Sequence, residues 1–197
     1  MVSVTIVTWN SAQYLDGCFA SIEQQDYREL EVVIVDNASI DGTRELLRQV
    51  ESRWRVIYNE QNVGFAAGQN QAIRAAGGDW VLCLNPDVVL STDFVTQMVA
   101  GGKAHAAAGS VCGKLLRWDP VAEQHRSNLI DSTGIYFTRN MRHLDRGAEE
   151  ADRGQYDRPQ FVFGASGAAS LFRRDFIQDI SMRASPRSSS RTTANSR

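Results

Sequence analysis

A five-residue apolar run, Trp80 to Leu84, is followed directly by Asn85-Pro86-Asp87. This segment limits the folds that the chain can adopt. Such a run is typical of a strand buried on both faces of a parallel sheet. Pro86 has no N–H to donate to a sheet, so the strand is expected to end there. Asp87 then follows the carboxyl end of a core strand, where open α/β sheets bind their ligands. A single carboxylate at this position is also a common turn residue or helix cap, so its neighbours decide its role.

Strands and helices alternate along the first half of the chain. Apolar or β-branched segments predict strands at 2–8, 31–35 and 55–58, ahead of the strand at 80–84. Helical spacing predicts two intervening helices, whose core-facing residues are Leu15, Cys18, Phe19, Ile22, Leu46, Leu47 and Val50. A third helix, opened by the segment that begins at Asn62, is expected to end at Gly77-Gly78. The pattern predicts an α/β fold, with an open, mostly parallel sheet and helices on both faces.

The second half of the chain is less regular. We predict a helix at 92–104, capped by Ser91 or Thr92, and strands at 110–118 and 129–137. Residues 138–159 are rich in Arg, Asp and Gly, and indicate a long surface loop that serves as a lid or a mobile excursion. A small-residue turn follows at 164–169.

Composition narrows the class of protein. The chain has 197 residues, of which 43% are hydrophobic and 22% charged, with a formal net charge of -2. These values predict one globular domain and give no indication of nucleic-acid binding. No signal peptide or membrane span is visible, and Cys18, Cys83 and Cys112 are too far apart for a CxxC zinc site. Cys18 and Cys83 lie in apolar patterns that predict buried thiols, and a reducing cytoplasm fits best.

Two nucleotide-binding classes are disfavoured by missing motifs. A dinucleotide dehydrogenase needs G-x-G-x-x-G after strand one, but Thr8-Trp9-Asn10-Ser11 stands there, and no P-loop motif occurs. The strand ends are acidic instead, with Asp36, Asp41 and Asp87. Carboxylates repel a diphosphate unless a hard divalent cation joins the two groups. Asp36 is alternatively suited to accept hydrogen bonds from the N–H groups of a nucleotide base.

Four motifs resemble the family 2 inverting glycosyltransferases of GT-A (Rossmann-like) fold. They are Val-Thr-Ile-Val-Thr-Trp-Asn at 4–10, Val-Ile-Val-Asp-Asn-Ala-Ser-Ile-Asp-Gly-Thr at 33–43, Asn-Val-Gly-Phe-Ala-Ala-Gly-Gln-Asn at 62–70 and Leu-Asn-Pro-Asp-Val at 84–88. The resemblance covers residues 2 to about 176, in the family's order and with similar spacing. Within that family the chain is most similar to the rhamnosyltransferase-like branch, in which the D-x-D motif reads Asn-Pro-Asp.

The resemblance implies a set of site residues. For the nucleotide-sugar donor these are Thr8, Trp9, Asn10, Asp36, Asn62, Gly64, Phe65, Ala66, Asn70 and Asn85. Asp36 would contact the pyrimidine ring, and Asp87 would be the ligand of Mg²⁺ or Mn²⁺. The acceptor side would comprise Gly164, Ala165, Ser166 and Gly167. Because Asn85 replaces the first acid of D-x-D, only one strong anionic ligand remains for the metal.

The resemblance also implies the reaction and its partners. A dTDP- or UDP-sugar would donate its sugar to a saccharide or lipid-linked acceptor in cell-envelope polysaccharide synthesis, with peripheral membrane contact and no nucleic acid. The family's general base lies in an acidic segment after the acceptor-side turn, and neither Asp175 nor Asp179 has that pattern. A non-catalytic nucleotide-sugar-binding module is therefore the alternative function.

Several residues have simpler structural explanations. Ser39 and Thr43 are expected to cap the second helix. Gly64 and Gly68 would serve helix packing, and Phe65 is as well suited to the core as to a pocket wall. His105, His125 and His143 lack partners at metal-ligand spacing and are predicted to be surface residues. Arg142 or Arg146 is placed to reach a lipid-linked diphosphate.

The chain is expected to divide into a nucleotide-binding half at 1–90, an incomplete acceptor-side half at 91–180 and a disordered tail at 181–197. The tail contains six Ser, four Arg and two Thr. It has too few apolar side chains to offset the entropy of ordering. Its abrupt onset leads us to expect a glycosyltransferase core cut short by truncation or a frameshift, the alternative being a natural basic tail.

Overall fold

A computed structural model describes residues 1–118 and 126–181. His125 and almost all of the predicted tail, residues 182–197, lie outside the described residues. In chain order the elements are β1 (Val2–Thr8), α1 (Ala12–Glu23), β2 (Leu30–Asp36), α2 (Thr43–Val50), β3 (Arg55–Tyr58), α3 (Phe65–Ala75), β4 (Trp80–Leu84), α4 (Phe94–Ala104), β5 (Ser110–Cys112), β6 (Leu115–Trp118), β7 (Arg126–Ser132), β8 (Ile135–Phe137), β9 (His143–Asp145), β10 (Ala169–Arg173) and α5 (Arg174–Ile180).

The main sheet has six strands in the order β3-β2-β1-β4-β10-β5. The first four are parallel, as the alternation of strands and helices predicts. β10, which the sequence pattern does not predict as a strand, lies antiparallel between β4 and β5. Its residues Ala169, Ser170 and Leu171 are buried, because a strand inserted in the sheet is covered on both faces. The α/β class with a mostly parallel sheet is confirmed.

Helices cover both faces of the sheet. Val32 and Ile34 of β2 belong to the larger core cluster, with buried side chains of α1, α2 and α4. Val33 and Val35 point the other way and pack with Ala72 of α3. Alternate residues of a strand face opposite sides, so Val32 to Val35 of β2 are all apolar because both faces of the strand are buried there. Of the predicted helix stripes, Leu15, Cys18, Phe19, Ile22, Leu47 and Val50 are buried.

The second half differs from the prediction in three places. The strand predicted at 110–118 is two strands, β5 in the main sheet and β6 paired with β7. The strand predicted at 129–137 is interrupted at Gly134, whose φ of 113° is readily accessible only to glycine. The loop predicted at 138–159 contains β9, which pairs with β8 as an antiparallel hairpin. Apolar periodicity shows which residues of a segment are buried, but it does not show which other segment a strand pairs with. These strands pair with segments that are distant in sequence or that lie across a turn.

The predicted helix caps are also wrong in detail. α2 begins after Gly42 and α4 after Asp93, and neither residue makes a side-chain capping hydrogen bond. Ser39 and Thr43 instead accept hydrogen bonds from the backbone N–H groups of Asn10 and Ser11, 2.9 and 2.8 Å away. They therefore tie the loop after β2 to the loop after β1. Asp41 serves both helix starts, since its carboxylate accepts from the N–H groups of Ala12 and Thr43.

Gly78 is required by close packing and not by a left-handed cap, since its φ is not positive. A Cβ at Gly78 would lie 2.8 Å from the backbone nitrogen of Ser3 and 2.9 Å from the carbonyl oxygen of Met1. We expect Gly78→Ala to lower the free energy of unfolding by about 2 kcal/mol, within the range for overpacking. Urea denaturation measures this, with Gly77→Ala as the matched control because its Cβ would have no neighbour nearer than 3.7 Å. Equal stability of the two variants would contradict the packing argument.

All three cysteines are free thiols whose pKa is raised by burial. Cys18 and Cys83 are buried, as predicted. Burial and, to a smaller extent, the nearby charge of Asp87 raise the pKa of the Cys18 thiol to about 12. Burial also raises the pKa of Cys83 and Cys112. A thiolate is the reactive form of cysteine, and the raised pKa of each thiol opposes its formation.

Candidate functional site

The carboxyl ends of the parallel strands bring three of the sequence motifs to one edge of the sheet. Thr8 at the end of β1 is in register with Asp36 at the end of β2, and Asp36 is in register with Tyr58 at the end of β3. β1 lies between β2 and β4, so the edge continues to Asn85, immediately after β4. This edge holds the candidate site.

Asp36 is fully buried at this edge and accepts four hydrogen bonds from its own chain. Its Oδ1 accepts from the hydroxyls of Thr8, at 3.1 Å, and Ser39. Its Oδ2 accepts from the Ser39 N–H and from Arg44 Nε, which lies 2.7 Å away. These donors belong to Thr8 of β1, Ser39 of the loop after β2 and Arg44 of α2, so Asp36 holds together the segments that surround the site. The predicted contact of Asp36 with a pyrimidine ring stays a prediction.

Arg44 is a site residue that sequence reasoning missed. Besides its ion pair with Asp36, it donates to the carbonyl oxygen of Asn59 at 2.7 Å. Its guanidinium lies 5.4 Å from the centroid of the Tyr58 ring. An arginine in the first turn of a helix gives no local indication of these partners, because they come from β2 and from the segment after β3.

Trp9 and Asn10 form the exposed rim after β1. Asn10 has a positive φ of 50°, a conformation that asparagine tolerates better than most residues. Its Oδ1 accepts from the backbone N–H of Ile40 at 2.9 Å. Trp9 is 58% exposed, so its ring is free to contact a ligand. Both predicted residues thus lie at the edge, with Asn10 fixing the loop and Trp9 open to solvent.

The segment predicted to contact the donor, 62–70, forms the loop before α3 and its first turns. The Gly64 N–H donates to Asn62 Oδ1 at 2.8 Å, and the Asn37 amide donates to the Gly64 carbonyl at 3.2 Å. Gly64 has a φ of 83°, so its role is conformational and not packing. The exposed side of this segment comprises Asn62, Phe65, Ala66 and Asn70. Phe65 is 55% exposed and therefore is not a core residue.

A cleft of about 710 Å³ opens beside the end of β4. Its polar lining includes Asn85 and Asp87, which follow β4, together with Lys114 just before β6, Arg117 of β6 and Asp131 of β7. The remaining lining residues are Tyr14, Val88, Val89, Leu90, Ser91, Phe94, Leu115, Leu116 and Ala168. Sequence reasoning missed Lys114, Arg117 and Asp131, because nothing local to these residues indicates that they line the same cleft as the end of β4.

The two cationic side chains that line the cleft, Lys114 and Arg117, are paired with carboxylates. Lys114 Nζ lies 2.7 Å from Asp152 and 2.6 Å from Asp157. Hydrogen bonds to these two carboxylates raise the pKa of Lys114 above its usual value. Arg117 binds Glu149 and lies 4.0 Å from Asp131. The Asp131 side chain is about half exposed, which leaves it accessible from the cleft.

The predicted acceptor-side turn adjoins Asn85. The Asn85 N–H donates to the carbonyl oxygen of Ala168 at 2.8 Å, directly after the segment Gly164, Ala165, Ser166 and Gly167. The Gly164 carbonyl accepts from the N–H of Ile135 at 2.8 Å, which connects the turn to β8. A Cβ at Gly164 or Gly167 would meet no atom within 4 Å. The turn therefore forms an open wall next to the end of β4.

Asp87 fits the coordination that a substrate-bound divalent cation requires. It is exposed and lines the cleft with Asn85, whose amide oxygen is a second hard donor. No group of three or more His, Cys, Asp or Glu side chains within the described ranges is arranged to hold a metal by itself. Mg²⁺ commonly uses one or two carboxylates together with substrate phosphates and water, so one acid is sufficient. His105 and His143 are exposed, as predicted.

The chain has the GT-A fold, as its likeness to two solved structures shows. The structure superposes on S. aureus TarS residues 1–349 with a TM-score of 0.61 and 21% identity, over 90% of this chain and 48% of TarS 1–349. The mannosyltransferase PcManGT from Pyrobaculum calidifontis, solved with GDP-Man and Mn²⁺, has a TM-score of 0.58 and 23% identity, over 90% of this chain and 46% of PcManGT. These two likenesses show the fold.

The chain belongs to glycosyl transferase family 2, whose profile matches residues 3–181. It is 31% identical to the uncharacterized glycosyltransferase YfnE of Bacillus subtilis over 161 residues, 76% of this chain and 40% of YfnE. It is 36% identical to the putative teichuronic acid biosynthesis glycosyltransferase TuaG of the same organism over 90 residues, 44% of this chain and 36% of TuaG. The complex of S. aureus TarS with UDP-GlcNAc matches at 27% identity and a TM-score of 0.53, over 58% of this chain and 34% of TarS.

The chain spans less than half the length of each of these relatives. The resemblance deduced from the four motifs is confirmed at the level of the family and the fold. In the part of the chain that the structure describes, no helix is both long and apolar enough to cross a bilayer.

Proposed function

We propose that this chain transfers a sugar from a nucleoside diphosphate donor to a hydroxyl group of a saccharide or lipid-linked acceptor, with inversion at the anomeric carbon. The observation that carries the proposal is the position of Asp87 and Asn85, at the carboxyl end of β4 and on the wall of an open cleft. The donor would be a dTDP- or UDP-sugar, with rhamnose as the sugar indicated by the Asn-Pro-Asp motif. Cell-envelope polysaccharide synthesis is the proposed context.

Two relatives support this donor and context. TarS, 27% identical in its aligned part, has been solved with UDP and with UDP-GlcNAc. TuaG is named as a putative teichuronic acid biosynthesis enzyme.

The proposed donor site uses residues from four strand ends. Trp9, Asn10 and the Thr8 backbone would border the nucleotide, and the exposed 62–70 segment would border its ribose, diphosphate and sugar. Asp36 would act by holding these loops in position, since its oxygens are occupied by Thr8, Ser39 and Arg44. Gly164, Ala165, Ser166 and Gly167 would border the acceptor, beside Asn85.

Asp87 would hold Mg²⁺ or Mn²⁺, with Asn85 as a neighbouring donor. When bound, the cation would neutralise charge on the departing diphosphate. The chain's own contribution is to place a carboxylate at an exposed strand end, where a diphosphate has room to approach. Asp175 is paired with Arg173 and is not proposed as the base that deprotonates the acceptor.

The alternative function, a nucleotide-sugar-binding module without turnover, is separated from transfer by two measurements. We expect UDP or dTDP with Mn²⁺, at about 100 times the dissociation constant, to stabilise the protein by about 2.7 kcal/mol. For a chain of this size that corresponds to a rise of roughly 5–10 °C in Tm. ADP is the comparison nucleotide, and release of UDP from UDP-sugar reports turnover. No shift with any nucleotide would contradict donor binding, whereas a shift without UDP release would favour the binding module.

A further inference from the structure

The β8–β9 hairpin carries an exposed tip that the proposed transfer reaction does not use. Residues 138–142 connect the two strands in a hydrogen-bonded turn. The Thr138 N–H donates to the Arg142 carbonyl at 2.9 Å, and the Met141 N–H donates to the Thr138 carbonyl at 3.0 Å. The tip is therefore an ordered turn that presents its side chains in a defined arrangement.

Large apolar side chains are exposed along this hairpin and the neighbouring segment. Met141 is 78% exposed, and Phe163 is 72% exposed. The Phe163 ring lies 4.3 Å, centroid to centroid, from Phe137, which is itself 41% exposed. The Phe163 N–H donates to the Ile135 carbonyl at 3.1 Å, so this aromatic pair is fixed against β8. Clustered exposed apolar residues of this kind mark an interaction surface.

Two arginines flank the exposed methionine. Arg139 and Arg142 are both exposed, and neither guanidinium forms an ion pair with a carboxylate among the residues 1–118 and 126–181. No acid occurs between Ile135 and Leu144. The nearest acid in sequence, Asp145, accepts a hydrogen bond from the Ser132 hydroxyl at 2.7 Å. The tip is therefore cationic as well as apolar.

We propose that the hairpin patch, defined as Phe137, Arg139, Met141, Arg142 and Phe163, docks on the surface of an anionic phospholipid bilayer. Aromatic rings and methionine suit the boundary between head groups and acyl chains. The two exposed arginines complement the negative surface potential of anionic lipids. A second copy of this chain fits less well, since a symmetric contact would bring the same arginines of both copies together.

Docking would place the cleft near the bilayer. β7, which supplies Asp131 to the cleft wall, is followed directly by Thr133 and Gly134 and then by β8. The Arg146 N–H donates to the Gly134 carbonyl at 2.7 Å, which braces this connection. A lipid-linked acceptor would then reach the cleft from the membrane surface. This consequence rests on the proposed function, whereas the docking itself does not.

Co-sedimentation with vesicles of equal parts phosphatidylglycerol and phosphatidylcholine tests the charge component. Each arginine near such a surface contributes about 1 kcal/mol, so the double variant Arg139→Gln, Arg142→Gln is expected to bind roughly 30-fold more weakly. The matched control is Arg28→Gln, Arg74→Gln, which removes two exposed arginines outside the hairpin. The control therefore has the same net charge as the hairpin double variant. Vesicles of phosphatidylcholine alone should retain little protein.

A second variant pair tests the apolar component. Met141→Ser, Phe163→Ser should weaken binding to the mixed vesicles, while Ile40→Ser, at a side chain that is 92% exposed, should not. Thermal unfolding of each variant shows that the fold is retained. Three results would overturn the proposal: no sedimentation of the parent protein with the mixed vesicles, equal loss in the control variants, or self-association that the hairpin variants abolish. None of these measurements requires sugar transfer, so their results do not depend on the proposed function.

Discussion

Asp87→Asn is expected to remove the effect of Mn²⁺ on UDP affinity and to leave the fold intact. The side chain is exposed at the end of β4, so its replacement by the isosteric amide disturbs no packing. The change removes the anionic oxygen on which a cation bridging the protein and the diphosphate would depend. Isothermal titration of UDP with and without Mn²⁺ measures the loss. We expect at least a roughly tenfold decrease in metal-dependent affinity, equivalent to about 1.4 kcal/mol.

Asp131→Asn is the matched control for this experiment. Asp131 also lines the cleft, but it belongs to β7 and not to the end of β4. If the cation is held at the end of β4, Asp131→Asn keeps the Mn²⁺ effect on UDP binding. Unchanged Mn²⁺ dependence in Asp87→Asn, or an equal loss in both variants, would show that Asp87 is not the metal ligand.

Asp36→Ala is expected to destabilise the protein by about 3 kcal/mol, the lower end of the range for removing one partner of a buried ion pair. The carboxylate is fully buried, and its loss leaves the donors of Thr8, Ser39 and Arg44 without their acceptor. We use the lower end because the Arg44 side chain is 31% exposed and keeps its hydrogen bond to Asn59. Urea denaturation followed by circular dichroism measures the change.

The control for Asp36→Ala is Asp41→Ala, which lies further along the same loop. Asp41 accepts two backbone N–H groups at the starts of α1 and α2, but it is exposed. Loss of such a cap costs about 1 kcal/mol. If Asp36 contacts the base directly, as the sequence suggested, Asp36→Ala would weaken UDP binding with little loss of stability. That result would contradict a structural role for the Asp36 carboxylate.

The sequence predicted those site residues whose position depends on their neighbours in the chain. Asn85, Pro86 and Asp87 follow an apolar strand, and the turn that proline imposes places Asp87 outside the sheet. The segment 62–70 opens a helix, so its first residues lie at a strand end. By contrast, Lys114, Arg117 and Asp131 line the cleft through the pairing of β6 with β7, which joins segments distant from β4 in sequence. No feature near those residues in sequence distinguishes them from ordinary surface charges.

By itself the sequence determined the order and type of the elements in the first half, the mostly parallel sheet and the family. Hydrophobic periodicity reports which faces of a segment are buried, and that is enough to define β1 to β4 and their helices. Only the tertiary structure decided what depends on distant partners. The antiparallel insertion of β10 joins residues 169–173 to 80–84, and Asp36 is enclosed by Thr8, 28 positions earlier, and by Arg44. A carboxylate at a strand end has the same sequence signature whether it is open or enclosed, because its hydrogen-bond donors come from other segments of the chain.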